Sequence, residues 1–227
     1  MRRCKFRASL WFNALASWGL KPSYMVRGLL ALRLMTCLWF AGGVFGSGPV
    51  WAGSQQYEPL SDAVRLALQS ALYDRTPPEP LFNSEAERQR WMSDMHARLS
   101  KKLGDPTLRE DLLKTARYEA QRAGLDPQLV LALIEVESGF RQYAISHVGA
   151  RGLMQVMPFW TRVIGDGNPS TLFNMRSNIR YGCVIFRHYL DIEKGNVVRA
   201  LGRYNGSLGK AEYPNLVLGA LNSKWAW

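Results

Sequence analysis

The sequence predicts a mainly α-helical protein, and three features of the chain indicate this. Between residue 61 and the end of the chain, apolar residues recur three or four positions apart, the spacing of one helix face. Asp105-Pro106 and Asp126-Pro127 each place an N-cap residue before a proline at the first helical position. No segment shows the sustained two-residue alternation of a strand, and the sequence contains no internal repeat.

Two helices are predicted before the first Asp-Pro pair. Ser61 can cap the first helix, whose apolar face consists of Val64, Leu68 and Leu72. The proline-rich residues 76–80 end it and are typical of a stiff linker. Asn83 or Ser84 then begins a charged helix whose apolar positions are Trp91, Met95 and Leu99. We expect both helices to pack against the rest of the protein, in preference to binding a partner.

The remaining helices follow in order. The helix from Pro106 extends to Ala123 and ends at Gly124, and the helix from Pro127 follows it. A long helix is predicted over residues 175–194, and a short one after Asn196 that ends at Leu201. A last helix is predicted to begin at Pro214, with its apolar face at Val217, Leu221 and Trp225.

The first 52 residues are typical of an export signal. Arg27 and Arg33 precede an apolar stretch over residues 34–45, and Val50-Trp51-Ala52 has the small-x-small form of a cleavage site. Met25 offers an alternative start that would leave a signal of ordinary length. The apolar stretch is short and interrupted by glycine, so a cleaved signal is favoured over a retained membrane anchor.

The charge distribution argues against nucleic-acid binding. The chain has a formal net charge of +11, but seven of its 29 basic residues and none of its 18 acidic residues lie in 1–52. The remaining chain has 22 basic and 18 acidic residues, a net charge of +4. This mild excess of positive charge fits an anionic cell-wall polymer, although an ordinary soluble domain can also have it.

Cysteine and histidine usage gives no indication of a disulfide or a metal site. Removal of the signal would leave Cys183 as the one cysteine, at helical spacing from apolar neighbours, which predicts a core residue. His96, His147 and His188 form no pair with the spacing of metal ligands. We therefore expect no metal and no organic cofactor.

Three short motifs follow one another in the second half of the chain. The first is the Glu-Ser pair at 137–138, in IEVESGFRQYAIS (134–146). The second is GARGLMQVMP (149–158), and the third is RYNGS (203–207), with Tyr213 behind it. Together they resemble the catalytic region of the lytic transglycosylases, in particular the soluble-lytic-transglycosylase (SLT) domain with its lysozyme-like fold.

The resemblance covers about residues 105–227 and implies a division of the chain. Residues 105–227 would form a lysozyme-like helical catalytic domain, and 53–104 a short helical extension with a Pro-rich linker. Residues 1–52 would be the signal. The chain departs from the family pattern at Arg141-Gln142 and at Arg203, positions that we expect to border the glycan groove.

The resemblance also implies site residues. Glu137 would be the catalytic acid, and Ser146 would reach toward it and toward the primary hydroxyl of the sugar. Tyr204 and Asn205 are expected in a polar turn that faces Glu137 after the short helix. The implied substrate contacts are Ser146, Met154, Gln155, Met157, Tyr204, Asn205 and Tyr213.

The position of Glu137 on its helix agrees with an acid role. It shares a face with Val130, Leu133 and Ile134, whereas Glu135 is expected on a wetter side. Desolvation and the negative end of the helix dipole are both expected to raise the pKa of Glu137, as a general acid requires. No other Asp or Glu occurs between Ser138 and Gly165. Most glycoside-cleaving sites use two carboxylates, so a lone one indicates a reaction that runs on a single group.

The implied function is that of an exported, periplasmic and monomeric peptidoglycan lytic transglycosylase, without a stable membrane span after signal removal. It would cleave the β-1,4 bond between N-acetylmuramic acid and N-acetylglucosamine without water and leave 1,6-anhydro ends. Two alternatives stay open. One is a muramidase of the same fold that admits water, since goose-type lysozymes also resemble this region. The other is a catalytically silent glycan-binding component of an envelope or secretion assembly.

Overall fold

The structure is a computed structural model that describes residues 55–73 and 78–227. The predicted signal at 1–52, with its alternative start at Met25, lies outside the described residues, and so does part of the linker predicted at 76–80. Within the described ranges, none of the helices has the length and apolar character needed to cross a membrane.

Helices account for most of the described chain. They are α1 Asp62–Leu72, α2 Glu85–Leu99, α3 Pro106–Arg122, α4 Pro127–Ser138, α5 Phe159–Ile164, a 3-10 turn Pro169–Phe173, α6 Met175–Ile192, α7 Val197–Asn205, α8 Glu212–Ala220 and a π-helical turn Leu221–Trp225. Extended pairing in the described residues is limited to isolated bridges of Arg151 with Ile145 and Val156. The predicted mainly α fold class is confirmed.

Side-chain caps begin the helices where the sequence predicts them. Ser84, and not Asn83, caps α2 by accepting a hydrogen bond from the Glu87 N–H. Asp105 accepts from two N–H groups of α3, and Asp126 accepts from the first turn of α4. Each cap satisfies backbone donors that have no partner within the helix.

Three predicted helix limits are wrong. Helix α7 continues to Asn205 instead of ending at Leu201, and Gly202 lies within the helix and does not end it. A Cβ atom at Gly202 would lie 3.1 Å from Cα of Leu208, so this glycine allows the returning chain to pack on the helix. Helix α6 ends at Ile192 rather than residue 194, and α8 begins at Glu212 rather than at Pro214. The short α5 and the 3-10 turn were not predicted.

The helical extension shares the core of the following helices. Trp91, Met95 and Leu99 of α2 are fully buried in the same hydrophobic cluster as α3 and α4. The guanidinium of Arg117 in α3 lies 3.9 Å from the ring centroid of Phe82 and pairs with Glu87 at 3.0 Å. Helix α1 packs on α5 and α6 without a fully buried residue of its own. The boundary between residues 104 and 105 stays a prediction.

Candidate active site

Glu137 is the penultimate residue of α4, and its side chain is completely buried. The helix ends there because Gly139 adopts the left-handed conformation, with φ of 59°. Helix α4 is buried on every side from Leu129 to Ile134, which fits a central helix better than an amphipathic one.

The predicted contrast between Glu137 and Glu135 is wrong, because Glu135 is also buried and only 9% exposed. Its carboxylate accepts hydrogen bonds from Lys224 and from the Trp225 indole, both at 2.7 Å, and pairs with Lys102 at 3.0 Å. Burial alone would raise the pKa of Glu135, but these donors lower it overall. Glu135 is therefore an ionised anchor that joins α4 to the C-terminal turn.

Tyr213 contacts Glu137 directly through a hydrogen bond. Its hydroxyl donates a hydrogen bond to Oε1 of Glu137 at 2.5 Å from the first turn of α8, and the tyrosine is fully buried. Burial, followed by the charge of Glu137 and by this hydrogen bond, raises the pKa of Tyr213 well above its ordinary value. The phenol therefore remains protonated and acts as a donor to the carboxyl group.

Tyr204 lies beside the same carboxyl group but makes a different contact. It belongs to helix α7, not to the turn after it as predicted, because α7 is longer than expected. Its hydroxyl donates to the carbonyl oxygen of Met154 at 2.8 Å, and burial followed by the charge of Glu137 raises its pKa. Asn205, the last residue of α7, donates from Nδ2 to Oγ of Ser207 at 3.1 Å. Tyr204 thus holds the loop that borders the site.

The loop between α4 and α5 is folded tightly by its glycines. Gly149 and Gly152 have φ of 86° and 76°, a region that L-residues with side chains rarely adopt. Oγ of Ser146 accepts from the N–H of Ala150 at 3.0 Å, and the Ser146 N–H donates to the carbonyl of Ala150. In this structure Ser146 shapes the turn at 146–150.

Gln155 is fully buried and fixes the loop from within. Its Nε2 donates to the carbonyl oxygens of Gly152 at 2.8 Å and Ala144 at 3.2 Å. Its Oε1 has no hydrogen-bond donor within residues 55–73 and 78–227. Met154 is also fully buried, whereas Met157 is partly exposed. Of the three predicted wall residues, Met157 is the one that presents surface.

Asn178 in α6 is a positioning residue that sequence reasoning missed. Its Oδ1 accepts from the Met154 N–H at 2.7 Å, and its Nδ2 donates to the carbonyls of Arg151 and Leu172, both at 2.8 Å. One helical turn later, a Cβ at Gly182 would lie 2.3 Å from Sδ of Met154. The pattern that could have indicated this role is an Asn and a Gly four residues apart, on the buried face of one helix.

Residues 55–58, which we call the strap, also contact this loop and were not predicted to do so. Gln55 is 3% exposed, and its Nε2 donates to the carbonyl of Gln155 at 3.3 Å. Its Oε1 accepts from the Met157 N–H at 3.0 Å. No sequence pattern predicts this contact, since Gln55 and its partners are about a hundred residues apart.

The other titratable groups do not form a metal site in the described residues. No group of three or more His, Cys, Asp or Glu side chains comes together within residues 55–73 and 78–227. Cys183 is buried, and burial raises the pKa of its thiol.

Comparison with known proteins identifies the domain that contains this site. Residues 114–215 match the family model of the transglycosylase SLT domain. The membrane-bound lytic murein transglycosylase C of Haemophilus influenzae strain PittEE is 36% identical over 91 residues, 35% of this chain and 26% of the relative. That of Actinobacillus pleuropneumoniae serotype 5b is 41% identical over 78 residues, 31% of this chain and 21% of the relative.

A phage protein gives a third match. The transglycosylase of Enterobacteria phage PRD1 is 34% identical over 105 residues, 43% of this chain and 38% of the relative. The chain thus spans about a fifth to two fifths of the length of these relatives, and the range matched by the family model includes Glu137. Residues 114–215 are therefore similar to the transglycosylase SLT domain.

Proposed function

We propose that this protein is a peptidoglycan lytic transglycosylase that cleaves the β-1,4 bond from N-acetylmuramic acid to N-acetylglucosamine and leaves a 1,6-anhydro end. The observation that carries the proposal is the buried Glu137 with the Tyr213 hydroxyl on its Oε1. Burial favours a neutral carboxyl group before reaction, and the phenol stabilises the carboxylate once the proton has left. One group can then serve as acid and as base.

The first step breaks the glycosidic bond. Neutral Glu137 transfers its proton to the departing oxygen, and the bond between that oxygen and C1 of the muramoyl sugar breaks. The N-acetyl group of the same sugar stabilises the positive charge at C1, which supplies what a second carboxylate supplies in most glycosidases.

The second step closes the ring. Oxygen O6 of the muramoyl sugar bonds to C1, and its proton returns to Glu137, so the acid is regenerated and no water is added. An intramolecular nucleophile has a high effective concentration, which removes the need for a carboxylate that positions water. The next acid along the chain, Asp166, is exposed and its Oδ1 accepts from the N–H of Asn168 in its own turn.

We divide the predicted contact residues into two groups by their exposure. Met157 presents partly exposed surface, and Ser146 lies on the loop at intermediate exposure. We assign both to direct contact with the glycan. Met154, Gln155 and Tyr204 are fully buried, and we assign them to holding the loop in place. Asn205, buried at the end of α7, belongs with the second group.

The test is digestion of purified sacculi, followed by chromatography and mass spectrometry of the fragments. We expect anhydro-ended fragments, which are lighter by one water than the products of hydrolysis. Glu137→Gln should abolish their release, since the amide keeps the shape of the side chain but cannot transfer a proton, and a loss on the order of 10²–10⁴-fold is expected. Products with reducing ends and no anhydro ends would identify a muramidase. Intact sacculi would favour the alternative of a catalytically silent glycan-binding protein.

We further propose that the protein acts as a monomer in the periplasm on glycan strands, with no nucleic-acid partner. Support comes from the apolar stretch and Val50-Trp51-Ala52 site in the sequence, and from two relatives named as membrane-bound murein transglycosylases. N-terminal sequencing of protein from the envelope should place the mature start at about Gly53. An uncleaved chain in the inner membrane would identify a retained anchor instead.

A further inference from the structure

The candidate acid is sealed from solvent in this structure. Glu137 and Tyr213, which donates to it, are both 0% exposed, and so is Tyr204 at its side. A glycan strand must contact the carboxyl group to receive its proton, so some part of the protein must move before the reaction. The segment that moves must be one that its contacts hold only weakly.

The strap is positioned next to the sealed centre. The backbone of Gln155 and Met157, to which Gln55 bonds, belongs to the loop that Tyr204 holds through Met154. Gln55 also lies close enough to the Tyr204 hydroxyl to lower its pKa by hydrogen bonding, against the larger effects of burial and of Glu137. Tyr204 therefore has the Gln55 amide and the Glu137 carboxyl group as neighbours.

The contacts that hold the strap are unequal. Gln55 is buried, but Gln56, Tyr57 and Glu58 are exposed. The Tyr57 ring meets the Phe159 ring edge-on, with centroids 5.8 Å apart, while the tyrosine stays 60% exposed. Glu58 pairs with Arg203 at 2.9 Å with half of its side chain in solvent, and exposed ion pairs contribute little. One buried amide is the principal attachment.

That amide offers the groups by which a glycan would be recognised. Gln55 presents one carbonyl acceptor and one N–H donor to a backbone N–H and a backbone carbonyl of the loop. Acetamido and hydroxyl groups of a glycan carry the same two functions. When Gln55 leaves, the Met157 N–H and the Gln155 carbonyl become free for these groups, so no buried polar group stays unpaired in the bound state.

We propose that the strap is an intramolecular competitor of the glycan, which occupies part of the binding groove and must leave before a strand can bind beside Glu137. This inference rests on the proposed function, because the competing ligand is a glycan. A site that is open only part of the time binds its ligand more weakly by the open fraction. Weakening the strap should therefore strengthen glycan binding.

The experiment compares Gln55→Ala with Gln56→Ala in the full chain, each combined with Glu137→Gln so that the ligand is not consumed. Gln56 is the matched control, because it is the same residue type one position further on and is exposed. Calorimetry with a β-1,4-linked hexamer of N-acetylglucosamine should give about three- to tenfold tighter binding for Gln55→Ala, since more of the protein is open. Gln56→Ala should bind as the parent does.

A second readout follows the strap without ligand. Hydrogen exchange of the Met157 amide should be faster in Gln55→Ala than in Gln56→Ala, because Oε1 of Gln55 accepts a hydrogen bond from the Met157 N–H. Unchanged or weaker hexamer binding by Gln55→Ala would overturn the proposal, as would a failure of every variant to bind the hexamer.

The same variants, with Glu137 restored, separate this inference from the proposed function. If sacculi stay intact with every variant while Gln55→Ala still binds the hexamer more tightly, the proposed reaction is wrong and the strap is a competitor. If all variants digest sacculi at equal rates at low substrate and Gln55→Ala binds no better, the reaction stands and the competitor is refuted.

Discussion

Replacing Tyr213 by phenylalanine tests how the Glu137 carboxyl group is controlled. The change removes one hydroxyl from a fully buried position and deletes the hydrogen bond to Oε1. A hydrogen bond to a charged group contributes about 1.5–3 kcal/mol and one to a neutral group about 0.5–1.5 kcal/mol. The difference, about 1–1.5 kcal/mol, is the extent to which Tyr213 favours the carboxylate over the acid.

Two measurable results follow from this difference. The carboxylate develops as the glycosidic bond breaks, so its loss of stabilisation should slow sacculus digestion by about five- to tenfold. Because the phenol favours the ionised form, its removal should extend the protonated, active form to higher pH. The alkaline limb of the activity profile should therefore move upward by about one pH unit, since one unit corresponds to 1.36 kcal/mol.

Tyr204→Phe is the matched control for this substitution. It also removes a hydroxyl from a fully buried tyrosine, but that hydroxyl donates to the Met154 carbonyl and not to Glu137. We expect Tyr204→Phe to lower the free energy of unfolding by about 1–2 kcal/mol and to leave the position of the alkaline limb unchanged. If both variants show the wild-type limb, or if both shift it equally, the proposed control of Glu137 by Tyr213 is refuted.

Three further substitutions, one of them with a matched control, test the other assignments. Asp166→Asn should keep most of the activity and still yield anhydro ends, because the amide oxygen can accept from the N–H of Asn168; near-total loss in a folded variant would reveal a second catalytic carboxylate. Glu135→Gln should lower the free energy of unfolding by about 1–2 kcal/mol at pH 7, measured by urea unfolding. The pKa of Glu135 is lowered in the folded state, so the stability that it contributes is present above the ordinary pKa of 4.5 and is lost as the pH falls through the lower folded pKa. The stabilities of wild type and variant should therefore converge as the pH falls below 4.5. Asn178→Asp should lower the free energy of unfolding by about 3 kcal/mol or more, because it places an acceptor against the carbonyls of Arg151 and Leu172. Asn168→Asp is the control and should have a small effect, because the Asn168 side chain uses only its oxygen, at the Ser170 N–H.

The parts of the fold that were predictable depend on short sequence separations. A cap such as Asp126 bonds an N–H two residues away, and an αL glycine such as Gly139 ends a helix through its own conformation. These effects need no knowledge of the rest of the protein. The end of α7 was missed because Gly202 has a different cause, the close approach of Leu208, which only the folded chain creates.

The contacts that build the site have long separations and were not readable in this way. Tyr213 is 76 residues from Glu137, Trp225 is 90 residues from Glu135, and Gln55 is 100 residues from Gln155. The motif comparison named Glu137 as the acid and Tyr213 among the substrate contacts, but it expected Ser146, and not Tyr213, to reach toward the carboxyl group. Helical periodicity predicted a wet face for Glu135, because periodicity considers only the helix itself. The three donors that surround the Glu135 carboxylate come from other segments.

Burial therefore does not distinguish the two glutamates of α4, and the nature of their donors does. Glu135 receives two ammonium groups and an indole, and positive charge beside a buried carboxylate keeps it ionised, which suits an anchor and not a proton donor. Glu137 receives the phenol of Tyr213, a neutral donor whose own pKa is raised so far that it does not give up its proton. A hydrogen bond from a neutral phenol stabilises a carboxylate less than paired ammonium groups do. This difference in donors is why we propose Glu137, and not Glu135, as the acid and base of the reaction.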